Sequence, residues 1–177
     1  MRSPIPLRVP MRAFVLATLV ALPATGRAET PDAEFAAKAA SGSMMEVELG
    51  RHAAEKAADP DVRTFGERMV RDHTEASEKL RAAAEEAGIA LPDAMQPQHR
   101  KHVEALTSLE GEDFDARYLA LMIQDHGDEI AEFTAQARAG QSPIDRWAEN
   151  TLPVLQRHLE VAQEIEQERR ADAGGTP

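Results

Sequence analysis

Two Asp-His pairs, Asp72-His73 and Asp125-His126, stand 53 residues apart in matching surroundings. Each histidine follows a methionine by four residues, Met69 and Met122, and each motif opens on an aromatic, Phe65 and Tyr118. At 100° per residue, His73 shares a helical stripe with Val62, Met69, Leu80 and Ala84, and His126 shares one with Leu119, Met122, Ile130 and Phe133. Both imidazoles are thus expected to point at a core. A third, His158, is in phase with Ile144, Trp147, Thr151, Val154 and Ile165, and Glu46 interrupts the small and apolar stripe of Phe35, Ala39, Gly42, Leu49 and Ala53. Three imidazoles and a carboxylate facing inward are the donor set of a divalent-metal site, and zinc, copper or iron would suit it.

Four long helices must carry these residues. The first follows Asp32 and ends at Asp59-Pro60; the second runs from Pro60 to about Ala87, with Gly88 as its stop. Residues 89–111 form the longest connection, with room for a short helix over about Gln98–Leu109. The third long helix covers about Glu112–Ala139, and the fourth runs from the candidate N-cap Ser142 to about Arg170. Pro153 inside the fourth removes a ladder hydrogen bond, which predicts a kink or restart. No strand pattern competes. The expected fold is all-α, an antiparallel up-down-up-down four-helix bundle with a short extra helix between the second and third long helices.

That topology places the turns near 59 and 141 at one end. Glu46 and His73 lie 13 and 14 residues from the first turn, His126 and His158 lie 15 and 17 from the second. At 1.5 Å per residue all four fall about 20 to 25 Å from that end, in one polar layer. The layer has a bland reading as well: Glu46 hydrogen-bonded to histidines is an ordinary satisfied network that fixes helix register. Asp72 and Asp125 lie about 100° off the inward direction, as outer partners or surface ion-pair groups. Met69 and Met122 line the space beside the imidazoles, either as copper(I)-type thioethers or as core filling. Glu48 with His52 reads as a surface pair, and His99 and His102 as solvated histidines of the connection.

Residues 1–28 have the pattern of a secretory signal peptide: Arg2, Arg8 and Arg12, an apolar run from Ala13 to Leu22, and Gly26 and Ala28 before a cleavage point near Glu29. The bundle is then expected over 29–171 and a disordered tail over 172–177, with the protein unanchored in the periplasm or cell envelope. The mature chain would carry 16 basic and 31 acidic residues, a net charge of −15, which argues against nucleic acid or an anionic membrane surface as partner. With no cysteine there is no disulfide framework. A nucleophilic hydrolase is disfavoured too, since neither a GxSxG elbow nor a cysteine is present.

The motifs EVELG from Glu46, FGERMVRDH from Phe65, GIALP from Gly88, FDARYLALMIQDH from Phe114 and TLPVLQRHL from Thr151 together resemble the bacterial family named domain of unknown function 4142. The resemblance implies a ferritin-like, exported protein and no particular reaction. A di-iron carboxylate centre of the ferritin-like kind needs Glu-x-x-His on two helices. Here Val70, Ile123 and Leu155 stand three residues before the histidines. One acid among three imidazoles disfavours two irons and leaves a single divalent ion bound by Glu46, His73, His126 and His158, a small ligand held in the same layer, or a structural or interaction bundle of the envelope whose layer only sets register.

Overall fold

The computed structural model describes residues 30–174, so the expected signal peptide and the last three residues lie outside the described part. Five helices make it up: α1 Pro31–Lys56, α2 Pro60–Ala87, α3 Pro97–Thr107, α4 Gly111–Ala137 and α5 Pro143–Gly174. There is no strand among the described residues. Each boundary has a local chemical cause. Thr30 and Asp59 cap α1 and α2 by accepting backbone N–H bonds, each ahead of a proline in the first turn. Gly88 closes α2 at φ 66°, where its N–H and that of Ile89 bond back to Glu85 and Ala84. Ser142 and Asp145 form a reciprocal box at the start of α5: the Asp145 N–H donates to the Ser142 hydroxyl at 3.1 Å and the Ser142 N–H to the Asp145 carboxylate at 2.9 Å. α5 runs on to Gly174, past the expected helix end.

α5 runs through Pro153 as one helix, so the chain does not restart there. Both Pro153 and Glu149, whose carbonyl loses its partner, are exposed, so the freed oxygen faces solvent rather than the core. Val154, expected inward, is 37% exposed, while Leu155 is buried in its place.

The contacts at the helix ends fix the path of the chain. Asp115, at the start of α4, accepts from the Ala58 and Asp59 N–H groups in the α1–α2 turn at 3.2 and 2.8 Å. Arg169, late in α5, reaches Asp59 at 2.9 Å and Asp115 at 3.3 Å. At the other end Gln136, late in α4, donates to Asp32 of α1 and Asp145 of α5 at 2.8 and 2.7 Å. The turns at 57–59 and 138–142 therefore lie at opposite ends. The expected up-down-up-down order is corrected to up, down, down, up, with residues 88–110 carrying the chain back along the bundle. α3 is part of that return. Ser41 of α1 fastens it, accepting from the Gln96 N–H at 2.7 Å and bonding the His99 ring at 2.6 Å.

The interior divides into two apolar clusters. Met45, Leu49, Phe65, Met69, Tyr118 and Met122 belong to one, and Ala39, Leu80, Phe133, Ile144, Trp147 and Leu155 to the other. Glu46, His73, His126 and His158 fall between them along every long helix. α1 and α2 meet most closely at Gly50 and Gly66, where a Cβ on Gly66 would come 2.7 Å from the Gly50 carbonyl oxygen. Gly66→Ala is expected to lower stability by about 1–3 kcal/mol in urea denaturation, because overpacking against backbone outweighs the helix-propensity gain of about 1 kcal/mol. An unchanged or higher midpoint would show that the helices can part at no cost.

Candidate metal centre

Each long helix delivers one member of the layer, and all four members are buried, Glu46 and His126 completely. The His73 Nδ1 lies 2.8 Å from Glu46 Oε2, and the His126 Nε2 lies 3.6 Å from Glu46 Oε1 and 3.2 Å from His158 Nδ1. One nitrogen from each of His73, His126 and His158 can be chosen so that all three lie within 4.8 Å of one another. The four residues singled out from the sequence are thus brought together.

Their outer contacts set the ring tautomers. The His126 Nδ1 is 3.0 Å from the Met122 carbonyl oxygen, an acceptor only, so that nitrogen carries the proton and Nε2 presents a lone pair. The His158 Nε2 is 3.0 Å from Asp72 Oδ2, so it donates to the carboxylate and leaves the Nδ1 lone pair free. Two lone pairs then face each other at 3.2 Å. Neither Glu46 oxygen takes a directed hydrogen bond despite the short approach of His73, and the His73 Nε2 is buried without a partner. Such convergence without hydrogen-bond alignment is what ligands around a common centre show. A tetrahedral ion with bonds of about 2.0–2.1 Å separates its ligand atoms by about 3.3–3.4 Å.

Electrostatics favour neutral groups while no cation is present. Burial, then the nearby Asp125 charge, pushes Glu46 well above the ordinary carboxylate range. Burial pulls His73 down to about 4 against the opposing pull of Asp72 and Asp125. His158 also falls to about 4, through burial and the neighbouring His73, and His126 is pulled well below the ordinary imidazole range by burial, His73 and His158.

The structure adds residues that helical phase had not flagged. Glu129 brings a carboxylate oxygen within 4.8 Å of donor atoms of Glu46 and His126. An acid three residues after a histidine shares its face as fully as one three before, so His126-x-x-Glu129 was legible. Two acids meet in the layer rather than one, and scarcity of carboxylate no longer counts against two metal ions; the missing Glu-x-x-His pattern still does. Tyr118 is completely buried with an unpartnered hydroxyl, held protonated by burial and by Glu46. Asp72 acts as expected, bonding His158. Asp125 is half-buried with an unpartnered oxygen, raised first by burial. Met69 and Met122 are fully buried in the apolar cluster on one side of the layer. His99, expected in solvent, is buried against Ser41, and His52 packs 4.8 Å from the Phe114 ring instead of pairing with Glu48.

A family model described as Domain of unknown function (DUF4142) matches residues 17–165. The chain belongs to this family. The DUF4142 chain is also similar in fold to a solved structure described as a DUF305 fragment from Deinococcus radiodurans. The two share 17% identity over 77% of this chain and 96% of that one, with a TM-score of 0.66. No curated protein matches the DUF4142 chain.

The raised Glu46 makes a signed prediction for metal-free protein. A folded-state value above the unfolded one contributes stability that is whole below about 4.5 and is lost as pH rises. Glu46→Gln does not titrate, so its stability relative to wild type should climb from pH 4.5 towards neutrality, by up to about 1.4 kcal/mol per pH unit, read as a growing difference in melting temperature. A difference that stays flat across that range would mean Glu46 is ionised when folded.

Proposed function

We propose that this chain is an exported, ferritin-like helical-bundle protein that holds one divalent transition-metal ion between His73, His126 and His158, with Glu46 as fourth donor. The observation that supports this best is the 3.2 Å approach of His126 Nε2 to His158 Nδ1, two nitrogens to which the outer acceptors of both rings assign lone pairs. A cation resolves that repulsion, and the Glu46 charge would offset part of the ion's own. The path of the chain, with its single long return between α2 and α4, is the ferritin-like arrangement of an antiparallel four-helix bundle. Imidazole-rich donors suit zinc, copper or iron. The Met122 carbonyl and the Asp72 carboxylate would fix the rings and raise their basicity, as outer partners of metal-binding histidines do.

Export through the segment before Glu29 completes the reading. It puts the site in the periplasm or cell envelope, and the intact mass of protein isolated from its native cells should correspond to a chain beginning near Glu29. Retention of residues 13–22 as a membrane anchor would overturn the cleaved, unanchored form.

The raised Glu46 and lowered histidines also favour a second reading, a neutral hydrogen-bonded layer that only fixes register. Titration of zinc into tag-free, chelator-treated protein separates the two. The metal site predicts one equivalent bound and a rise in melting temperature, worth about 2.7 kcal/mol at a free concentration of 100 Kd. His126→Ala should abolish uptake, and Asp72→Asn should weaken it by about 10–100-fold. No uptake of zinc, copper(I) or iron(II) and an unmoved melting temperature would leave the register layer.

A further inference from the structure

A cleft of about 430 Å³ opens beside the layer, lined by residues of α1, α3 and α4. Asp128 and Glu132 stand on its α4 side, with Lys38 of α1 paired to Glu132, and His102 of α3 also lines it. Its inner wall carries Asp125 and Glu129, each with a buried oxygen that has no hydrogen-bond partner. Behind Glu129 lies Glu46, fully buried and without a directed hydrogen bond, with donor atoms of the two acids within 4.8 Å of each other.

We propose that this cleft is the loading path for the cation, and that Asp125 and Glu129 form a transient carboxylate site that hands the ion to Glu46 and the three imidazoles. The proposal rests on the metal-binding reading of the layer. A hydrated divalent cation loses its water only where oxygen ligands replace it, and a line of carboxylates from an acidic mouth to a buried Glu lets that exchange proceed stepwise. His99 also lines the cleft, and its Nδ1 bonds the Ser41 hydroxyl, which fastens α3 over it.

Gly42 is the throat of this path. It lines the cleft, and a Cβ there would come 3.2 Å from Glu129 Oε1, with no other atom so placed within 4 Å. The absent side chain on α1 is what allows Glu129 to lie inward. Since the contact is with the far end of a flexible side chain, a Cβ at 42 displaces Glu129 without striking backbone, and a longer side chain there extends into the throat.

The test is stopped-flow loading of cobalt(II), followed by its ligand-field absorption, into metal-free full-length protein. Gly42→Leu should slow uptake by at least about tenfold and slow removal by a chelator by a similar factor, because a steric throat acts equally in both directions and leaves the equilibrium constant alone. Asp128→Asn combined with Glu132→Gln should slow uptake on the order of tenfold at low salt, an effect that fades as ionic strength rises. This second variant changes only groups at the exposed mouth, removing two negative charges and freeing Lys38 from Glu132, and keeps the proposal testable if Gly42→Leu folds poorly. Normal uptake rates in both, with wild-type occupancy at equilibrium, would overturn the loading path while sparing the metal site, and would direct attention to the groove between α2 and α5 that reaches Asp72. No cobalt bound by wild type at equilibrium would overturn the site and the path together.

Discussion

Glu46 is a carboxylate with no exposed surface in the middle of a helical bundle, and the cost of putting an ion there is several kcal/mol. Among the described residues no lysine or arginine approaches it; its near neighbours are imidazoles and further acids. Glu46 must therefore hold a proton, share one with a histidine, or face a cation. Each of these outcomes requires the same architecture: four long helices at a common height, two apolar clusters above and below, and imidazoles packed beside the acid, with His73 and His126 at 2.8 and 3.6 Å from its oxygens. The layer is costly for the fold in itself. Replacing it with packed apolar residues would serve stability as well or better.

The outer contacts are where the layer departs from an ordinary polar network. A network that exists to satisfy its members pairs donors with acceptors, and here the fixed tautomers of His126 and His158 set acceptor against acceptor. The third ring leaves a buried nitrogen unpaired. Native interiors rarely tolerate such mismatches, because each orphaned polar atom costs about 1–3 kcal/mol. A cation between them would change that account, so the mismatches, more than the burial, are what support the proposed metal site.

Much of this was legible in the chain. Helical phase alone turned Glu46, His73, His126 and His158 inward, and proline and glycine positions marked the helix ends to within a few residues. The path of the chain was not legible, because residues 88–110 are long enough either to turn at one end or to return along the bundle. The layer was located correctly all the same. It lies near mid-helix: Glu46 and His73 are 13 and 14 residues from Asp59, and His126 is 11 residues from Asp115, which sits at that same end. Counting from the wrong end therefore gave nearly the same height. His99 was misplaced for a different reason, since its burial comes from Ser41, a small polar residue on α1 with no distinctive spacing. Val154 and Leu155 show the limit of a 100° wheel over a helix of 32 residues, where a small phase drift exchanges neighbours between faces.

Glycine gives the last connection between sequence and site. Gly50 and Gly66 are needed for α1 and α2 to touch backbone to backbone, and that contact lies one turn of α1 from Glu46. Gly42 lies one turn away on the other side and makes no such helix contact; among the described residues, Glu129 is what a Cβ there would meet within 4 Å. A glycine inside a helix costs about 1 kcal/mol relative to alanine. At 50 that cost is repaid by close packing of two helices. At 42 the structure offers no packing return, only room for an acid to bend towards the layer, and the position is best understood through what happens at Glu46 rather than through stability of the bundle.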